Sequence, residues 1–486
     1  MNSVWKKCGS LTLGLACLLC LGNAASTAFA DGQTNAYNYS YWGDAVRSPA
    51  AYEATGIITG KELEIGPFKE PNDMHVTADQ RVYVLDSGNS RIVELNQEMK
   101  LTRVIESFDH DGTKDQFKLP QGLYVSDNGQ LLIADTGNQR VVHLDKQGQL
   151  IKIVEQPQSE LLKPDFQFKP LRVVMDKGER IYVMAEGVFD GFMEFNSDGT
   201  FASFIGANRV QVDPVDYLWK QFATRQQRSQ MVMFTPTEFT NMDMDGEGFI
   251  YATSGDKTGL PIKKLNAQGL DILRREGYYP PQGDLLYSNE KGPSRLIDVD
   301  VGDSDMYSVL DANMGRIFTY NGDGYLLHMF GGIGNRLGQF NTPVSLERVG
   351  DRMLVLDKAL GEITVFQTTE YGRTLHEAVR SYFNGDEEGS AAQFAKAADM
   401  NANLEYAYAG IGKAMLRQKE YAQSTQYFKR SMEREGYSKA FLLYRKELLR
   451  EHFSWIMSGL LFVVTVLVIA FLVRRQRRGS THASIK

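Results

Sequence analysis

Side chains able to do covalent or metal chemistry are few in this sequence and poorly grouped. His75, His110, His143 and His328 stand apart, and no two of them have the spacing of metal ligands. Asp109-His110-Asp111-Gly112, with Asp115 beyond it, has the oxygen-rich character of a calcium loop, yet no Glu stands at the twelfth position. Cys8, Cys17 and Cys20 all fall in the N-terminal segment. A chain processed after residue 30 therefore has no disulfide, thiolate metal site or cysteine nucleophile. No Gly-x-Ser-x-Gly nucleophile turn is present. No cofactor is expected. The remaining candidate chemistry is polar and aromatic, suited to binding, and its meaning depends on the elements that carry it.

The two ends set the topology. Lys6 and Lys7 precede an apolar run from Leu11 to Leu21, and Ala28-Phe29-Ala30 precedes Asp31. That order of basic start, short apolar core and A-x-A site predicts a signal peptide over residues 1–30. Near the other end, Trp455 to Val473 carries no charge. At 1.5 Å per residue the run is about 28 Å long, enough to cross a bilayer. A basic tail over 474–486 follows, opening with Arg474, Arg475, Arg477 and Arg478, which places this end in the cytoplasm and the rest outside. The formal charge is −7; without Lys6 and Lys7 it is −9, and without the tail arginines and Lys486 it is −14. So acidic an outer part argues against a nucleic-acid partner.

Between the ends runs a repeat. Pro71, Pro120, Pro170, Pro236, Pro293 and Pro343 are spaced by 49, 50, 66, 57 and 50 residues. Each is followed by short β-branched and aromatic runs separated by Gly/Asn/Asp turns, a pattern of four antiparallel strands per unit. Six such units predict an all-β six-bladed propeller over residues 55–367. The sixth unit supplies only three strands, so the stretch from Gly56 to Ile65 is expected to complete it. Asp86-Ser87-Gly88-Asn89-Ser90-Arg91 and Asp135-Thr136-Gly137-Asn138-Gln139-Arg140 resemble NHL-repeat propellers, and Asp311 to Ile317 is a weaker copy. In these turns the Asp and Arg are expected to pair and pin the backbone. The resemblance implies an interaction platform. Its catalytic alternative is a metal-dependent hydrolase or lyase of the gluconolactonase type, which would need a metal cluster.

From Arg373 to Phe453 the spacing becomes helical. Ala378, Ser390, Phe394 and Ala397 recur 34 residues later as Gly412, Ser424, Phe428 and Ser431. Residues 373–453 thus resemble a small all-α module of tetratricopeptide-like repeats ahead of the membrane helix at 455–473.

Binding candidates follow from this frame. Two residues past each proline lie Asp73, Gly122, Arg172, Glu238, Arg295 and Ser345, expected to line the central channel, where charges either meet a polar ligand or pair with one another. Insertions between blades, a helix over 213–230 and the loop Tyr278 to Asp284, are expected on the blade-connecting face with Trp219, Tyr278 and Tyr279 as aromatic contacts. The segment 31–54, with Tyr37 to Trp42, either stacks on sugars or tethers the N-terminus. The expected function is a membrane-anchored extracytoplasmic scaffold recruiting a protein or glycan. A further alternative is an accessory subunit of a membrane transport or envelope complex.

Overall fold

The computed structural model describes residues 36–162, 165–207, 237–255 and 260–480. The signal-peptide segment, Trp219 and the helical insertion at 213–230 lie outside the described residues.

Six antiparallel sheets form the blades of a propeller. The first blade is Asp73–Val76, Val82–Asp86, Arg91–Leu95 and Leu101–Ile105, and the second Gly122–Val125, Leu131–Asp135, Arg140–Leu144 and Leu150–Val154. Their second strands are buried along their whole length, because both faces of a blade pack on neighbouring blades. The Asp–Arg turns are pins. Asp86 accepts from Arg91 Nε and Asn89 Nδ2, each at 2.8 Å, and from the Lys69 amide. Asp135 repeats this with Arg140 Nε, Asn138 Nδ2 and the Lys118 amide. Both carboxylates are fully buried. In the weaker copy the arginine is re-aimed: Asp311 takes the Ser294 hydroxyl and the Arg295 amide, while Arg316 reaches Asp284 and the Tyr37 hydroxyl. The apparent calcium loop is a hairpin of Ser107–His110 and Thr113–Gln116, and its Asp115 takes two bonds from Arg140.

The sixth blade closes as a composite. Pro343–Val349, Arg352–Asp357 and Glu362–Thr368 are completed by Tyr52–Thr59, antiparallel to Glu362–Thr368. The closing strand thus starts earlier than expected and ends at Thr59; Gly60 to Ile65 form a turn. The fourth blade departs from four strands. Phe239–Met244, Ile250–Ser254 and Ile262–Leu265 are the three present among the described residues. In place of a fourth strand stands one antiparallel bridge, Leu265 with Asp271; the Asp271 side chain accepts from the Lys264 amide, and Ile272 N donates to the Lys264 carbonyl.

One residue separates the last propeller strand from the first helix. Thr369 caps α1 (Glu370–Phe383), accepting from Gly372 N and donating to the Ala50 carbonyl at 2.7 Å. Helices α2 (Glu387–Met400), α3 (Glu405–Arg417), α4 (Tyr421–Arg430) and α5 (Arg434–Glu451) follow, each packed on the one before. The 34-residue period is physical: Ser390 Oγ donates to the Ala378 carbonyl, and Ser424 Oγ to the Gly412 carbonyl. Phe394 and Phe428 fill the spaces left by Gly410 and by Gly412 and Gly436, where a Cβ would strike the rings. After His452, α6 (Phe453–Ser480) contains one stretch, Phe453–Arg475, long and apolar enough to cross a membrane.

The helices are not a detached stalk. One hydrophobic core joins Tyr52, Phe330, Phe340 and Phe366 of blades five and six to Tyr371, Leu375, Phe394 and Tyr406 of α1–α3. The N-terminal segment straps this junction. Tyr37–Tyr39 pairs with Ala45–Arg47, Tyr37 and Tyr39 hydrogen-bond Asp284, and Tyr41 N donates to Glu405. Trp42 alone of these aromatics is largely exposed, at 71%. The tethering role of the segment is the one its contacts display.

Candidate functional site

The channel is lined by the first strand of each blade. Its first ring consists of Asp73, Gly122, Arg172, Asn241, Asp298 and Ser345, identified by their equal pairing positions on the second strands. Asn241 and Asp298 replace the expected Glu238 and Arg295, each lying three residues further on. Pro293 sits in the blade connector, its carbonyl held by Asn313, five residues before its ring position, whereas Pro170 and Pro343 stand two before theirs; the bulge just ahead of the ring residue is common to all these blades. Glu238 and Arg295 are exposed and belong to the connectors.

The ring is satisfied internally. Asp73 accepts from the Leu123 amide at 2.8 Å, Ser345 Oγ from the Met74 amide, and Asp298 from the amides of Leu346 and Val299. Arg172 Nε donates to Asn241 at 3.1 Å and lies 4.0 Å from Asp73, while Asn241 donates to Asp298. Gly122 is required because a Cβ would meet the Leu171 carbonyl at 2.5 Å. Each side chain thereby bonds the adjacent blade, so Asp73 and Arg172 hold the channel together. The space left between them is about 20 Å³, room for roughly one water.

Deeper in the channel stand His75, Asp243, Asp300 and Glu347. Burial, with Asp300 next, pushes Asp243 up to about 7. Burial and four neighbouring carboxyl groups raise Glu347 well above its ordinary range. Burial likewise raises Asp298 well above its range and lowers His75 to about 4. His75 Nδ1 lies 3.8 Å from Glu347 Oε1, where burial favours the neutral imidazole on one side and the protonated carboxyl on the other. Among the described residues no group of three or more His, Cys, Asp or Glu is placed to hold a metal ion.

A far larger opening, about 990 Å³, lies where the propeller meets the helices. Its walls come from Tyr41 of the strap, the turns Arg274 to Tyr278 and Asp323 to Tyr325 of the propeller, and α1, α3, α4 and α5. Asp323 anchors it: despite burial, Lys413 at 3.0 Å and Arg274 at 3.1 Å hold its carboxyl below the usual range. Lys413 also lies 5.2 Å over the Tyr325 ring, and Arg417 4.6 Å over that of Tyr382. Tyr278, expected on a free surface, instead bridges the junction; its hydroxyl donates to the Ser431 carbonyl and its ring meets Tyr41 and Tyr325 edge-on. Tyr279 donates to the Tyr41 carbonyl at 3.0 Å. Both tyrosines serve the strap, and Tyr278 also forms part of the cleft wall.

Comparison with known proteins bears on the propeller. Residues 117–144 match the NHL repeat. This NHL repeat spans the entry and first three strands of the second blade, including the Asp135–Arg140 pin. No curated protein matches the chain. Among solved structures, virginiamycin B lyase from Staphylococcus aureus is similar at 9% identity and a TM-score of 0.40, over 65% of this chain and 100% of that one. A streptogramin B lyase is similar at 13% identity and a TM-score of 0.39, over 63% and 95%. A protein of unknown function from Bacteroides thetaiotaomicron is similar at 11% identity and a TM-score of 0.42, over 69% and 76%.

Proposed function

We propose that this chain is a membrane-anchored binding scaffold whose propeller and helical module together form one receptor for a protein partner. In this reading α6 crosses the bilayer, the four arginines after Val473 lie in the cytoplasm, and residues 31–453 lie outside. The observation that carries it is the open cleft framed by two modules sharing one core. A channel filled by its own hydrogen-bonded side chains offers no comparable space. The wall residues Gly436 to Leu443 precede Phe453 by 10–17 residues, roughly 15–25 Å along a helix, so the cleft suits a partner near the same membrane.

Site-specific crosslinking in the native membrane tests this. A photoreactive benzoylphenylalanine replacing Tyr421 in the cleft is expected to give a discrete protein adduct, while the same residue replacing Leu101 on the outer strand of blade one gives none. Adducts at neither position, together with a stoichiometric divalent ion and chelator-sensitive turnover in the purified protein, would instead support the hydrolase or lyase alternative.

A further inference from the structure

The second half of α5 exposes large apolar side chains immediately before the stretch apolar enough to cross a membrane. Among the described residues of α5 only Ala440 is buried. Leu442 and Leu449 are 52% and 53% exposed, and Phe441 and Phe453 are exposed with them. We propose that this half of α5 lies along the outer surface of the bilayer, with its leucines among the lipids and its cations on their phosphates. The inference rests on the reading of α6 as membrane-spanning.

The helix sorts its side chains for this. At about 100° per residue, Leu442 lies about 20° round the helix from Leu449, Arg445 about 40° and Lys446 about 60°. Arg450 stands at about 100°, on the same side as Lys446, whereas Glu447 and Glu451 are about 160° away on the opposite side. The exposed face thus interleaves leucine with cation and leaves the carboxylates behind. Its cations are not engaged within the chain. Among the described residues no salt bridge includes a residue of α5; the last one in sequence joins Arg417 to Glu387. Arg445 lies 5.9 Å over the Phe441 ring, a contact that leaves the guanidinium donors for an anion.

Position selects the occupant. Leu449 is four residues from Phe453, about 6 Å of helix, so the bilayer stands beside this face whenever α6 spans it. A diffusing partner has no such advantage. Apolar side chains at headgroup level leave water, while the long Arg and Lys stems carry their charges to the phosphates. The helix breaks at His452, which ends α5 with φ −99° and ψ 7°, so α5 need not continue the line of α6. Laid down in this way, α5 holds the cleft, whose wall includes its Lys439 and Leu443, at a set height over the membrane. Leu442 decides the posture. It precedes Phe453 by 11 residues, about 16 Å along a helix, whereas the headgroup layer is about 5–7 Å deep on each side. An upright α5 keeps Leu442 in water; a recumbent one puts it in lipid.

The test uses the full chain in nanodiscs of phosphatidylcholine with about 30% phosphatidylglycerol. Benzoylphenylalanine replaces Leu442, Leu449, Leu460 within α6, or Leu101 on blade one, and phospholipid adducts are counted by mass spectrometry. Adducts are expected at 442, 449 and 460 and not at 101. The yield at 442 should fall at least about 5-fold in phosphatidylcholine alone, and equally with Arg445→Glu and Lys446→Glu, while the yield at 460 holds. Arg445→Gln with Lys446→Gln should fall between. Adducts at 460 without any at 442 overturn the proposal and leave the spanning helix in place; no adduct at 460 removes the spanning reading itself. Equal yields at 442 and 101 overturn the proposal as well, and so does a yield at 442 that neither lipid charge nor the substitutions change. A protein adduct at 442 in native membranes, in place of the lipid one, gives the face to a partner and overturns it too.

Discussion

Replacing Tyr52 by alanine should destabilise the whole outer part of the protein by about 3–5 kcal/mol, the range for deleting a buried aromatic side chain. Tyr52 is 2% exposed and sits at the start of the strand that closes the sixth blade. Its ring lies 4.8 Å from that of Phe330, 5.6 Å from His328 and 5.8 Å from His376. One side chain therefore fills space belonging to blade five, blade six and α1 together. Little can collapse into the gap, because a strand, a second strand and a helix are each fixed by their own hydrogen bonds. Denaturant unfolding measured by both circular dichroism and tyrosine fluorescence reads the loss. A cost below about 1 kcal/mol would mean that the closing strand and the helices do not share this core.

The second large effect is on acid sensitivity. His328 Nε2 and His376 Nε2 are 2.8 Å apart, so the pair is held with one ring donating and the other accepting, both neutral. Burial, then Arg348, lowers His328 to about 3. Burial, then His328, Arg348 and Arg380, lowers His376 well below its ordinary value. Tyr52 packs against both rings and Arg348 reaches Ser308 in the neighbouring strand. Unfolded, each histidine takes a proton near pH 6.5; folded, it does not. The unfolded state therefore binds more protons, and stability falls as pH drops from about 6.5 toward 3. Between pH 7.5 and pH 5 His328 alone costs about 2 kcal/mol, and His376 acts in the same direction.

Asp243 opposes them. Its folded value of about 7 lies above its unfolded value, so the folded state binds the extra proton and stability rises as pH falls from about 7 toward 4. That gain is on the order of 3 kcal/mol between pH 8 and 5. The histidine pair and Asp243 thus tilt the pH profile in opposite directions, alongside the other shifted groups of the channel. Relative to wild type, His328→Gln with His376→Gln should shift the profile toward greater stability in acid, and Asp243→Asn toward less. If either variant keeps the wild-type slope, the group concerned titrates as it would in water, and the packing described around it is wrong.

How much of this was readable from sequence depends on whether local spacing or tertiary packing sets the feature. The propeller was readable because each blade repeats a local pattern of turn glycines, Asp–Arg pins and alternating strands, and because three strands in the last unit demand a fourth. Asp73, Gly122, Arg172 and Ser345 were placed in the channel ring because their prolines enter the blade at a constant offset. Glu238 and Arg295 fall outside the ring because Pro236 and Pro293 stand five residues before the ring position in sequence rather than two, and the side chains that take their places, Asn241 and Asp298, sit just downstream. Tyr278 and Tyr279 were recognisable as an aromatic insertion, but the partner they pack on lies some 150–240 residues away in sequence. Nothing local marks the cleft, whose walls are gathered from Tyr41 to Leu443. The histidine pair is equally silent, since His328 stands on a strand and His376 on a helix. The best available signal was Thr369 immediately after a strand, which left no linker to separate the helices from the propeller.

The claim on which the receptor depends is that propeller and helices form one body. Scanning calorimetry of the full chain in detergent micelles, with helicity and tyrosine environment followed in parallel, tests it directly. Coincident transitions at a single temperature are expected, and Tyr52→Ala should move all of them together. A separate, earlier melting of the helices with the propeller intact would contradict the shared core, and with it the cleft.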